Sequence, residues 1–466
     1  MNARSWKHVW ILLFTCAIAP ANEPNRINVL LLVADDLRPD AVAALGGSGV
    51  ETPNLDRLAR EGTILTHATC AYPLCYPSRA ELLTGCSALR NGVGIRTTAL
   101  GTQMPLLPEV LQRAGYRTYH VGKWHVAGRP SQRGYEAVVG HFAGGKQPDQ
   151  SQYDHRGALV TGYAGWQFQT DDGQRFPERG VGLTPNISEA FADAAIQVIR
   201  EPSERPFFLH VNFTAPHDPR LIPRGYESKY NPMALTLPKN FRSQHPFDHG
   251  NLKGRDELLI PMPRRENEVR AEIAAYYAVV SHLDAQIGRI LAAVDEAQQS
   301  SHTVVIFTSD HGLALGSHGL LGKQNMYDHT IRVPLIVRGP GVLANAKRSA
   351  LCYLRDLFPT ICELCNVEIP PGIEGQSCAS LLKGVVKSSY PFVIGYFQNA
   401  QRMIRNERWK LIWYPQIQKE QLFDVTTDPD ELQDLSGVAQ HAPLQAELRT
   451  QLHQWLAERQ DPVFDK

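Results

Sequence analysis

Residues 27–36 read Ile27-Asn28-Val29-Leu30-Leu31-Leu32-Val33-Ala34-Asp35-Asp36. An apolar run of this length with β-branched members, broken only by Asn28, suits a strand buried on both faces. Such strands sit in the middle of largely parallel sheets, so this stretch points to an α/β fold. The run stops on two adjacent carboxylates. At the end of a buried strand they repel one another and lose solvation, and a positive partner must compensate. Hard oxygen ligands favour Ca2+ or Mg2+ there. A solvated Asp-Asp turn leading into Leu37-Arg38-Pro39-Asp40 accounts for the same residues equally well.

Outward from this strand the pattern repeats. Residues 116–121, 206–213 and 303–307 read as further buried strands, and 106–114 and 187–199 as helices. The helix between 52 and 62 is punctuated at both ends: Thr52 can cap it, Pro53 fits its first turn and Gly62 stops it. The longest helical pattern, 269–294, carries an apolar stripe through Ile273, Tyr276, Val280, Leu283 and Ile287, as packing on a sheet requires. From 129 to about 185, and again from 223 to 263, the periodicity dissolves. Long irregular segments in a compact domain tend to carry function, and both suit the rim of a binding site. Beyond about Val385 hairpins replace the alternation, with strands expected at 392–397, 402–405, 409–414 and 421–425 and a closing helix over 443–459. The expected architecture is a large, mostly parallel or mixed central sheet flanked by helices, plus a small C-terminal antiparallel sheet with a covering helix. The expected division is 22–384 and 385–466.

Polar groups collect at the strand ends, where open α/β sheets bind ligands. Lys123 and His125 stand two apart, so in extended backbone they share a side and could meet one ligand. Taken alone, such a pair is more often a surface lysine and a satisfied histidine. His217, between Pro216 and Pro219, is stiffly placed for acid–base work, or is simply part of a capped turn. Asp310-His311 ends another strand and could meet Asp35-Asp36 on a metal that neither pair would hold alone. The glycine-rich loop 316–323 delivers Lys323 and would allow backbone to approach an oxyanion, without the spacing of a P-loop.

Of eight cysteines, the one with evident chemistry is Cys75, in Cys75-Tyr76-Pro77-Ser78-Arg79-Ala80-Glu81-Leu82-Leu83-Thr84-Gly85. A thiol at the start of a helix, beside an arginine, is driven toward thiolate. Cys362 and Cys365 follow helical apolar spacing with no second pair to complete a zinc set, and read as buried helix cysteines. At the N-terminus Arg4 and Lys7 precede an apolar run ending at Ala19-Pro20-Ala21, the pattern of a secretory signal peptide over 1–21. Lipidation of Cys16 is the weaker alternative. Export is therefore expected: periplasmic or extracellular in a bacterium, secretory or lysosomal otherwise, with no later run long enough to span a membrane. An exported chain could pair some cysteines, with a connectivity that spacing does not reveal. Lys+Arg 47 against Asp+Glu 47 gives no global field, which argues against nucleic acid or an anionic membrane as partner.

Together these motifs resemble the type I, formylglycine-dependent sulfatases of the alkaline-phosphatase-like superfamily, and more loosely its iduronate-sulfatase-like and choline-sulfatase-like members. The C-x-P-S-R-x-x-L-L-T-G string at Cys75 carries most of the resemblance. Asp35-Asp36, G-K-W-H at 122–125, the Pro216-His217 turn, S-D-H-G at 309–312 and Gly322-Lys323 accompany it over most of the chain. The resemblance implies hydrolysis of sulfate esters, expected on a sulfated carbohydrate, after a formylglycine-generating enzyme has converted Cys75. It implies that Asp35, Asp36, Asp310 and His311 hold one divalent ion with the modified Cys75, calcium being usual in the family. Some members carry Asn in place of His311. Arg79 would hold the formylglycine hydroxyl near the metal, and Lys123 and Lys323 would grip sulfate oxygens. His125 would orient the hydrate and take its proton, and His217 would protonate the leaving alcohol. In that chemistry one hydroxyl of the aldehyde hydrate attacks sulfur and the other later expels sulfate, while cations offset the ester's charge. Two other readings fit the same motifs: phosphonate or phosphodiester hydrolysis, and a silent glycan-binding protein whose Cys75 stays a thiol.

Overall fold

The opening stretch forms β1 (Asn28–Ala34), at the centre of a nine-stranded sheet. The computed structural model describes residues 26–145, 152–154, 156–386 and 390–464, so the expected signal peptide at 1–21 and Cys16 lie outside it. The other strands of this sheet are β2 (Thr63–Thr69), β3 (Arg117–Lys123), β4 (Ala137–Ala143) and β5 (Gln167–Phe168). They continue with β6 (Phe207–Asn212), β7 (Thr303–Ser309), β8 (Leu335–Arg338) and β9 (Ala346–Tyr353). The order is β5-β4-β3-β6-β1-β7-β8-β2-β9. From β4 to β7 every neighbouring pair is parallel, while β5 and β8 run against their neighbours. The sheet is thus mixed, with a parallel centre.

Alternation along β1 sends Leu30 and Leu32 to one face and Val29, Leu31 and Val33 to the other, as period-two geometry requires. The helices Ile187–Arg200 and Glu266–Glu296 cover the first face. Cys75–Thr84, Leu107–Arg113 and Leu357–Leu364 cover the second, which also buries Cys362 and Cys365. A separate antiparallel sheet follows in sequence order: β10 (Val393–Phe397), β11 (Gln401–Arg405), β12 (Trp409–Tyr414) and β13 (Lys419–Asp424). The helix Ala442–Glu458 lies on it through Leu448, Leu452 and Leu456. No helix among the described residues is long and apolar enough to cross a membrane.

Two expectations need correction, and one strand went unread in the sequence. The segment 129–185 is not wholly irregular, since it supplies β4 and β5 at one edge of the sheet. The opposite edge, β9, has half-exposed residues at its start, Lys347 and Ser349 pointing to solvent, and so lacks the apolar signal of a buried strand. Thr52 does not cap the helix Pro53–Glu61; its hydroxyl accepts from the Ala43 N–H. The free N–H groups of that helix are met from another element, by the Asp284 carboxylate, at 3.1 Å from Asn54 N and 2.8 Å from Leu55 N.

Candidate active site

Parallel strands deliver their carboxyl ends to one edge of the sheet, and the register aligns those ends. Ala34 pairs with Ser309, Val33 with Asn212, and Asn212 with Gly122. Asp35-Asp36, Asp310-His311 and Lys123 therefore leave the sheet side by side. Asp36 adopts φ +68°, a left-handed conformation that Asp tolerates better than most residues, and its N–H donates to Asp310 Oδ1. The Asp36 carbonyl is held by the Tyr276 hydroxyl of the long helix at 2.7 Å.

Onto this edge comes the start of the helix Cys75–Thr84, whose motif residues tie it to two strand ends. Ser78 Oγ donates to the Asp310 carbonyl at 2.6 Å. Arg79 donates through Nε to Asp310 Oδ2 at 3.0 Å and through Nη1 to Asn212 Oδ1 at 2.6 Å. Cys75 Sγ then lies 3.3 Å from Asp35 Oδ1, 3.3 Å from His311 Nε2 and 3.6 Å from Lys323 Nζ. Lys123 Nζ donates to Asp35 Oδ2 at 2.7 Å, and Lys323 Nζ donates to both Asp36 oxygens at 3.0 and 3.1 Å. His217 Nε2 is 2.8 Å from Lys323 Nζ. His125 neighbours Cys75, its ring edge-on to Trp166 at 5.3 Å, and its Nδ1 is buried with no hydrogen-bond partner among the described residues. Every residue singled out for the site from the sequence is thus in one cluster.

Burial and charge act against each other throughout the cluster, where Lys123, Lys323 and Arg79 face Asp35, Asp36 and Asp310. Burial and the Asp35 charge push Asp310 up to about 7, and His311, despite burial, is drawn up to about 10 by Asp310 and Cys75. Burial also pushes the Cys75 thiol up, yet Lys123, Lys323 and His311 hold it well below the usual thiol range. Asp35, Cys75, Asp310 and His311 offer ligand atoms within 4.8 Å of one another, and Asp36, Cys75 and His217 do likewise. The first group brings two buried carboxylates together and the second adds Asp36 next to Cys75, oxygen donors of the kind that suit a hard divalent ion.

The structure adds groups that the sequence reading left unnamed. Tyr163, from the segment before β5, donates its hydroxyl to Asp35 Oδ2 and stands edge-on to His217 at 4.7 Å, with Trp166 behind it at 4.9 Å. Asp218 and Arg255 back His217. All come from aperiodic segments, so no spacing marked them. The loop before Lys323 differs from expectation in its use of glycine: a Cβ on Gly319 would lie 2.2 Å from the Gln244 carbonyl carbon. The close approach it permits is to the 244–245 backbone.

A mixed sheet with a parallel centre and a smaller antiparallel companion presents its polar cluster at the carboxyl ends of the parallel strands, the edge at which α/β sheets bind ligands. The sulfatase family profile matches residues 27–367, and a second profile, N-sulphoglucosamine sulphohydrolase, C-terminal, matches 316–458. The arylsulfatase of Clostridium perfringens is 29% identical over 437 residues, covering 88% of this chain and 90% of that protein. The N-acetylglucosamine-6-O-sulfatase of Bacteroides thetaiotaomicron is 26% identical over 497 residues, covering 94% and 87%. Among solved structures, the phosphonate monoester hydrolase of Agrobacterium radiobacter superimposes with TM-score 0.75 at 22% identity, covering 94% of this chain and 97% of that one, a likeness of fold. The chain belongs to the sulfatase family and is a sulfuric ester hydrolase.

Proposed function

We propose that the chain removes sulfate from a carbohydrate ester at this cluster, with Cys75 converted to formylglycine by a separate modifying enzyme. The observation that carries the proposal is the position of Cys75 Sγ, within 3.3 Å of both Asp35 and His311 and 3.6 Å from Lys323. On this reading that sulfur stands in for the formylglycine oxygens, and the charged groups around it suit a reactive side chain better than a packed apolar thiol. The aldehyde, once hydrated, supplies one hydroxyl to attack sulfur and a second to expel sulfate.

Asp35, Asp36, Asp310 and His311 would hold one divalent ion, calcium in this reading, which would neutralise sulfate oxygens. Lys123 and Lys323, anchored on Asp35 and Asp36, present ammonium groups that grip the remaining sulfate oxygens. Arg79, fixed by Asp310 and Asn212, steadies the hydroxyl of the modified side chain. His125, with an unpartnered Nδ1 beside Cys75, takes the proton of the hydrate. His217 serves the leaving alcohol. The carbohydrate substrate is supported by a relative named for N-acetylglucosamine-6-O-sulfate and by the Tyr163 and Trp166 rings lining the cluster. Export rests on the signal-like sequence at 1–21.

The test has three parts. A peptide containing residue 75 should be about 18 Da lighter than its cysteine form, the change from CH2–SH to CHO, which lies apart from ordinary thiol oxidation. Turnover of aryl sulfate should exceed that of aryl phosphonate, and predominant phosphonate turnover would instead place the enzyme with the phosphonate hydrolases. A panel of sulfated mono- and oligosaccharides should then find the carbohydrate. Binding of glycans without any turnover, by protein whose Cys75 stays a thiol, would overturn the proposal.

A further inference from the structure

His217 is gripped on the side away from Cys75. Its Nδ1 lies 2.6 Å from the Asp218 carbonyl oxygen and 3.1 Å from the Asp218 carboxylate. Both oxygens accept, so Nδ1 carries a proton and Nε2 is the nitrogen presented to Lys323 and the cluster. Asp218 is clamped in turn. Arg255 donates through Nη1 to Asp218 Oδ2 at 2.5 Å and through Nη2 to Oδ1 at 2.9 Å, the fork geometry that suits a carboxylate. Arg255 also pairs with Asp256 and donates to the Thr161 hydroxyl at 3.3 Å.

The next residue, Gly162, closes the arrangement. A Cβ there would lie 2.5 Å from the Asp218 carbonyl oxygen and 2.5 Å from its Oδ2, so only glycine lets this segment pack against the pair. Segments around 161, 217, 255 and 323 therefore converge on one imidazole, although only His217 and Lys323 have a part in the proposed reaction.

We propose that Asp218, clamped by Arg255, is a positioning residue for His217, fixing the tautomer and ring orientation that aim Nε2 at the leaving-group oxygen. This rests on the sulfatase reading of the same site. As the S–O bond breaks, its electron pair leaves with the alcohol oxygen. That oxygen takes the proton from Nε2 of the doubly protonated His217 ring, which is left neutral with its Nδ1–H still donating to Asp218.

The readout is leaving-group dependence, because a poor leaving group needs the proton and a good one departs without it. Turnover is measured on aryl sulfates from 4-nitrophenyl to 4-methoxyphenyl, for the wild type, Asp218→Asn, Asp218→Glu, Arg255→Gln, His217→Ala and the double variant of Asp218→Asn with His217→Ala. Asp218→Asn should lose about 10- to 100-fold more on the 4-methoxyphenyl ester than on the 4-nitrophenyl ester, a part of the roughly 100- to 10,000-fold that general acid catalysis contributes. Asp218→Glu should recover part of that difference. In the His217→Ala background, Asp218→Asn should cost nothing further. The Arg255 side chain is 37% exposed, so Arg255→Gln supplies a variant that folds if Asp218→Asn does not, and it should show the same selectivity in milder form. Equal losses on all esters, or additive losses in the double variant, overturn the role of Asp218 while leaving the sulfatase reading intact. A wild type inert toward every aryl sulfate overturns that reading and the role of Asp218 together.

Discussion

At the scale of single residues, the site depends on atoms whose charge is balanced by close neighbours. Cys75→Ala removes the sulfur and offers nothing to convert to an aldehyde. Its turnover should fall by about three orders of magnitude or more, as for loss of a covalent nucleophile, with an unchanged thermal midpoint. Wild-type turnover in that variant would remove the formylglycine mechanism. On the proposed metal reading, thorough chelation should lower both activity and thermal midpoint, because Asp35 and Asp310 would lose a compensating charge, and added Ca2+ should restore both. Tyr163→Phe keeps the ring against His217 but removes the hydroxyl on Asp35. About tenfold weaker metal retention or activity is expected, the lower end of what a hydrogen bond to a metal ligand contributes. Cys75, Asp310 and Lys123 were legible in the sequence because chemistry-bearing residue types sit at strand ends or in a specific string. Tyr163 was not, since one tyrosine in an aperiodic segment looks like any other.

At the scale of elements, the sequence shows which segments are helical better than it shows what holds their ends. The helix Pro53–Glu61 carries Thr52, Pro53 and Gly62 in the expected places, yet its first turn is capped by Asp284, 230 residues away from Asn54 in the chain. Asp284→Ala should therefore destabilise the protein by about 1–2 kcal/mol, the range of a lost cap, read from urea unfolding with activity per folded molecule unchanged. No loss of stability would show that water replaces the cap. The edge strands were the least legible for a related reason. In β4, next to the two-residue edge strand β5, the apolar run is broken by Gly140 and His141, and in the edge strand β9 the first half carries Lys347 and Arg348, because strands at or near an edge need no second apolar face. The central strands β1, β6 and β7 are buried almost end to end, so their sequences announced them.

At the scale of the molecule, the small sheet is fastened to the large one through buried charge. Lys410 of β12 donates to Asp328 at 2.5 Å, to Glu431 at 2.5 Å and to the Met326 carbonyl at 3.1 Å. Removing that ammonium leaves the buried Glu431 carboxylate without its cation, while Asp328 keeps Arg405 at 3.2 Å, so Lys410→Met should cost about 3–5 kcal/mol, measured by denaturant unfolding. A change within about 0.5 kcal/mol would mean the carboxylates simply protonate or repack. The same long-range assembly sets a schedule for the reactive centre. Cys75 is 3% exposed, and the groups that bury it arrive late: Lys323 lies 248 residues downstream. On the formylglycine reading, an oxidising enzyme can reach Cys75 only while those downstream residues are still missing or unfolded. At about 5–20 residues per second, synthesis leaves roughly 12 to 50 s before Lys323 exists at all. The distance between two residues that touch in the finished protein is, during its making, a clock.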